Sequence, residues 1–137
     1  PESLADLIKY HSMKKLCFIL FATLFVNSTK AQQLTGRWYS ADSSRTYEIK
    51  ETGENIFEAV IISSNRKTDS TGYQVIKNLL YNNHKKRYEG VIYAVSDNQP
   101  AWVKISFDKN NGNKIILKLK RMFVLDVTIN WMRITAS

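Results

Sequence analysis

Catalysis would have to start from histidine, cysteine or paired carboxylates, and the chain is sparing with all three. It has 137 residues, one cysteine and two histidines. Cys17 lies inside an apolar run, and His84 lies in the polar turn Asn82-Asn83-His84-Lys85-Lys86, where it reads as a solvated turn residue. No Gly-x-Ser-x-Gly elbow is present. One histidine outside the N-terminal segment and no cysteine there leave no transition-metal cluster by spacing. The five glycines are singly spaced, so no phosphate cradle appears. Glu48, Glu58, Glu89 and Asp126 lie on alternating runs and read as solvent-facing, with Asp126 the one that turns inward if the face assignment slips by one residue. No catalytic residue, cofactor or metal is assigned, and the chain is not expected to be an enzyme.

Aromatic and basic residues carry the binding readings. Tyr47, Phe57, Tyr73, Tyr88, Tyr93, Trp102 and Phe107 are candidates to fill a β interior or to line a shallow cavity within it. From them Tyr47, Phe57, Tyr93 and Trp102 are taken as candidate contacts to a small apolar ligand. Lys85, Lys86 and Arg87 form one basic group, and Lys114, Lys118, Lys120 and Arg121 a second. The first is the candidate surface for an anionic partner.

The N-terminal segment sets the address. Met13-Lys14-Lys15 is a short positive region, Leu16 to Val26 an apolar run broken only by Thr23, and Asn27 to Ala31 a polar tail ending on a small residue. That order is the n-, h- and c-region of a secretory signal peptide over 13–31, with the cut after Ala31. The apolar run is about half the length of roughly 20 residues that a membrane span needs. Residues 1–12 precede Met13 and read as an upstream or non-native segment. Cys17 lies too early for a lipoprotein cut, so the domain at 32–137 has no disulfide. Residues 1–31 hold Lys9, Lys14, Lys15 and Lys30 against Glu2 and Asp6; from totals of 20 basic and 12 acidic side chains, 16 and 10 remain, a net of +6. For an exported chain that charge points to anionic envelope components rather than nucleic acid, unless it serves only to keep a small protein soluble.

The elements that must position these residues read as strands. Leu34 to Ser40, Arg45 to Glu51, Ile56 to Ser63, Arg87 to Val95, Ala101 to Phe107, Lys114 to Arg121 and the stretch to Ile134 alternate or are β-rich. Ile56 to Ser63 is apolar on both faces and reads as a central strand. Tyr73 to Tyr81 is ambiguous, because Val75, Ile76, Leu79 and Leu80 also fit a helical stripe; a strand, or one turn leading into a strand, is favoured. Asn111-Gly112 is the strongest hairpin signal, and Gly90 marks a bend or bulge. About eight strands joined by short turns predict an all-β, antiparallel, up-and-down barrel, closed so that no edge is left unpaired and preceded by the signal helix. Closure brings the first strand beside the last. Trp38 can then lie under Arg133, with Gly36 allowing a tight entry and Trp131 beside them; Gly36, Trp38, Trp131 and Arg133 are therefore read as a structural closure.

Gly36-x-Trp38 with a basic residue on the final strand resembles the lipocalin/calycin closure. The order Gly36-Arg37-Trp38, Tyr47-Glu48-Ile49, Phe57 to Ile61, Gly72 to Leu80, Gly90-Val91-Ile92-Tyr93 and Trp131-Met132-Arg133 is similar to that of the domain-of-unknown-function 2147 family, small exported bacterial proteins. Two departures stand out: Ala94-Val95-Ser96 where the family often has Asp-Pro, and no glycine in Lys120 to Phe123. The resemblance implies a lipocalin-like barrel of unknown activity. The expected protein is a periplasmic or secreted monomer with no stable membrane span after signal cleavage. Its expected role is to bind a small apolar or amphiphilic molecule; the alternative is a non-enzymatic structural or stress protein contacting anionic lipid or polymer through a basic surface.

Overall fold

The computed structural model describes residues 33–121 and 126–135. The upstream segment 1–12 and the signal reading over 13–31 lie outside the described residues.

Eight strands follow in order: β1 (Gly36–Ser40), β2 (Arg45–Gly53), β3 (Ile56–Ser64), β4 (Gln74–Asn82), β5 (Arg87–Tyr93), β6 (Pro100–Phe107), β7 (Lys114–Lys120) and β8 (Val127–Arg133). Each pairs antiparallel with the next, and β1 pairs with β8, so the sheet is a closed barrel in sequence order. Closure leaves no strand edge, so β3 is paired on both sides, as is every other strand. Its second apolar row, including Ile56 and Val60, is half-buried on the outer side.

Side chains alternate inward and outward as the pleat requires. Tyr47 and Ile49, Phe57, Ala59 and Ile61, Val103 and Ile105, and Ile115 and Leu117 are buried inward. No residue of polar or charged type is buried among the described residues. The interior is instead filled by aliphatics and aromatic pairs. Tyr47 stacks on Trp131 with ring centroids 4.0 Å apart, and Phe57 meets Tyr88 edge-on at 5.3 Å. This agrees with the size of an eight-stranded barrel, which side chains alone can fill.

β4 resolves its ambiguity as a strand, and the helical look has a cause. Ala59 pairs with Ile76 and Phe57 with Leu79, so three steps on β4 match two on β3; Val60 pairs with Gln74, so a further residue bulges at Val75. The bulges convert a period of two into inward residues at Val75, Ile76 and Leu79. Leu80 leaves that stripe and faces outward, 53% exposed. On the neighbouring strand, Gly90 is the residue the bulge demands. A Cβ there would stand 2.9 Å from the Asn78 carbonyl oxygen, so only glycine admits the β4 backbone.

Candidate functional site

The barrel has two unlike ends. The end carrying the β2–β3, β4–β5 and β6–β7 turns is closed by the first and last strands. Trp38 and Arg133 are register partners across β1 and β8, with the Arg133 Cζ 4.3 Å from the Trp38 ring centroid. Residues 33–35 run beneath this pair. The Trp38 Nε1–H donates to the Leu34 carbonyl at 3.0 Å, and Leu34 is buried. Arg133 donates from Nη1 to the Thr35 carbonyl at 3.1 Å and from Nη2 to that of Gln33. Partial burial holds the Arg133 guanidinium below its ordinary pKa. Gly36 takes φ +135°, and a Cβ there would stand 2.9 Å from Arg133 Nη1. Its role is thus to leave room for the guanidinium in a backbone conformation other residues avoid.

The opposite end is a mouth. A cavity of about 170 Å³ opens there, lined by Tyr47, Val75, Ile92, Ala101, Ile129 and Trp131, with Arg45, Tyr93, Gln99 and Arg121 among the outer residues. Tyr47 and Trp131 form an aromatic wall through their stack. Burial pushes the Tyr47 phenol above its ordinary pKa, so it stays a neutral hydroxyl at physiological pH. The Trp131 Nε1–H is buried and has no hydrogen-bond partner among the described residues.

The rim is fastened by ion pairs. Arg45 donates to Asp69 through Nε at 2.6 Å and Nη2 at 3.0 Å, a bidentate pair. Ser64 Oγ adds a third hydrogen bond to Asp69 at 2.6 Å. Hydrogen bonds from Arg45 and Ser64 hold the Asp69 carboxyl down to a pKa of about 2, and the Arg45 guanidinium is raised by the same contact. On the β1–β2 turn, Asp42 accepts from Ser40 Oγ, Ser44 Oγ and Ser44 N–H, and from Arg66 Nη2 at 3.1 Å. Those bonds hold Asp42 well below the usual carboxylate range. The Tyr73 hydroxyl lies 2.6 Å from Asn98 Oδ1 and 3.1 Å from the Ala94 carbonyl oxygen, linking the β3–β4 loop to the β5–β6 turn. Residues 65–73 are thereby tied to the first turn, to β2 and to the β5–β6 turn around the mouth.

The four candidate ligand contacts separate. Tyr47 lines the mouth cavity and Tyr93 borders it, with the Lys77 ammonium 4.8 Å from the Tyr93 ring centroid. Phe57 packs at the closed end against Tyr88. Trp102 corrects the expectation of an interior aromatic: it points outward, 63% exposed, because its neighbours Ala101 and Val103 take the inward positions. Lys85 and Lys86 are exposed on the β4–β5 turn, with Lys86 at φ 52°, and Arg87 pairs with Glu89 at 2.7 Å. That group sits at the closed end, away from the mouth. Val75, Ile92, Ala101 and Ile129 were missed as cavity residues; only their inward register could have marked them.

The strand carboxylates lie outside the core. Glu48 meets Arg37 and Lys50, Glu58 accepts from Gln74 Nε2 at 2.6 Å, Glu89 pairs with Arg87, and Asp126 is exposed. Among the described residues no three side chains of His, Cys, Asp or Glu gather as metal ligands. No family model, no curated protein and no solved structure matches this chain.

Proposed function

We propose that this protein is a non-catalytic binding barrel of the cell envelope that takes one small apolar or amphiphilic molecule at its mouth. The observation that carries the reading is the cavity of about 170 Å³ walled by Tyr47 and Trp131 and bordered by Arg45, Gln99 and Arg121. Pockets for drug-sized ligands run to roughly 300–1,000 Å³. A dry apolar cavity of about 150 Å³ is enough for benzene. The occupant is therefore of the size of a single aromatic ring or a short aliphatic chain. The apolar walls select its body, and the polar border accepts a hydroxyl or carboxylate facing water. The envelope address rests on the signal-like order of residues 13–31, and kinship with the domain-of-unknown-function 2147 family rests on the motifs between Gly36 and Arg133.

Titration calorimetry with indole, benzyl alcohol and short-chain carboxylates tests the reading, together with native mass spectrometry of protein purified from its own envelope. Ala101→Leu fills the cavity with an apolar side chain and should abolish binding while the barrel still melts cooperatively. Binding that survives Ala101→Leu, or no bound molecule with any probe and none copurifying, overturns it.

A further inference from the structure

We propose that the outer face of β5, β6 and β7 is a docking surface for an anionic phospholipid bilayer, centred on Trp102. This face is separate from the mouth cavity, and strand register brings its residues together. Val91 pairs with Trp102 and Trp102 with Lys120, one row across three strands; Glu89 pairs with Lys104 and Lys104 with Lys118, the next row along. Lys104 is also two residues from Trp102 on the same strand and so on the same face. The sheet therefore surrounds one indole, 63% exposed, with three exposed lysines. Leu80, 53% exposed, extends the apolar part on β4.

Two features make an anionic partner the fitting occupant. Lys104 and Lys118 stand directly opposite each other, a like-charge cross-strand pair that costs stability until an anion lies between them. Among the described residues, no carboxylate forms an ion pair with Lys104, Lys118 or Lys120: Glu89, opposite Lys104, is engaged by Arg87, and Asp126 lines the same groove as Lys118 and Lys120 without pairing to them. A bilayer fits better than a dissolved polyanion because of the apolar members. Tryptophan partitions to the headgroup boundary, where its ring is buried and its N–H is hydrated. Leucine and valine gain from the same boundary, and a hydrated polymer offers them nothing. Lysines close to such a surface each add attraction that salt screens.

Vesicle cosedimentation with the full chain tests the proposal, comparing phosphatidylcholine with phosphatidylcholine–phosphatidylglycerol mixtures. Binding to neutral vesicles, which the apolar run at 16–26 can supply, is the baseline shared by all variants. Lys104→Gln/Lys118→Gln/Lys120→Gln should cut the anionic partition coefficient on the order of tenfold or more. Trp38 and Trp131 are buried, so exposed-indole emission reports Trp102. That emission should shift to the blue and be quenched by brominated lipids in the native chain, and not in Trp102→Phe. Anionic binding unchanged in the triple lysine variant overturns the proposal. So does equally tight binding of a soluble anionic polysaccharide with the Trp102 emission unmoved.

Discussion

Arg133 and Trp38 meet as register partners across the seam of the barrel, the guanidinium carbon 4.3 Å from the indole centroid. The same guanidinium donates to two carbonyls of the segment that runs beneath the floor. One side chain thus joins β1, β8 and residues 33–35. The β1–β8 register is the shortest in the barrel, with three Cα pairs. Backbone hydrogen bonds from Ala41 N–H to the Asn130 carbonyl and from Ile134 N–H to the Arg37 carbonyl flank that register, and the Arg133 side chain adds to them.

Arg133→Ala should destabilise the barrel by about 2–4 kcal/mol, combining the lost cation–π contact with carbonyls left without a donor. Arg133→Lys keeps a charge over the ring and loses the fork, so its cost should be smaller by about half. Urea unfolding of both variants separates the stack from the hydrogen bonds. Equal stability of the alanine variant and the native chain would remove the seam from any account of stability.

Gly36→Ala should cost about 1–3 kcal/mol, from a backbone at φ +135° that alanine resists. Part of the cost comes through Arg133, because the new methyl stands 2.9 Å from its Nη1 unless the guanidinium moves. A double-mutant cycle with Arg133→Ala should therefore show coupling of the two sites, measured as the difference from additivity.

Acid stability should depend on Asp69. Its folded pKa is depressed to about 2 by Arg45 and Ser64, below the ordinary carboxylate value. A depressed folded pKa contributes stability that is present above the unfolded pKa of about 3.9 and is lost as pH falls toward the folded value. The native chain should lose stability between about pH 4 and pH 2, and Asp42 acts in the same direction. Asp69→Asn should be less stable at neutral pH and lose less across that window. Unfolding midpoints measured at several pH values compare the two slopes.

Alternation and turn chemistry made most of this fold legible. Runs such as Ala101 to Phe107 and Lys114 to Arg121 show their inward residues directly, and a chain of hairpins without crossover helices admits little besides an antiparallel sheet. The Trp38–Arg133 contact followed from closure alone. β4 was harder because its bulges replace a period of two by a spacing that imitates a helix, and only pairing with β3 reveals them. For Trp102 register outweighs residue type: Val103 and Ile105 facing inward send it out. The mouth cavity depends on how several strand ends and loops meet. Tyr47 could be named as aromatic, but nothing local to Val75 or Ile129 distinguishes a cavity wall from packed core.

Trp131 offers a sharper test of the mouth. Its indole is buried and stacked on Tyr47, yet its N–H has no partner among the described residues. A buried donor left unsatisfied costs about 1–3 kcal/mol. Removing the whole side chain in Trp131→Ala should still cost about 3–5 kcal/mol, because the aromatic wall and its packing go with it. Trp131→Phe removes the unsatisfied donor together with part of the ring, and the two effects oppose each other. The phenylalanine variant should therefore lie within about 2 kcal/mol of the native chain. Its small remaining loss should reflect a slightly larger mouth cavity, so it should also accept a somewhat larger apolar probe than the native protein does. Equilibrium unfolding gives the first quantity and calorimetric titration the second. A phenylalanine variant as unstable as the alanine one would mean that the indole N–H contributes to the folded state, most simply by donating to a molecule held at the mouth.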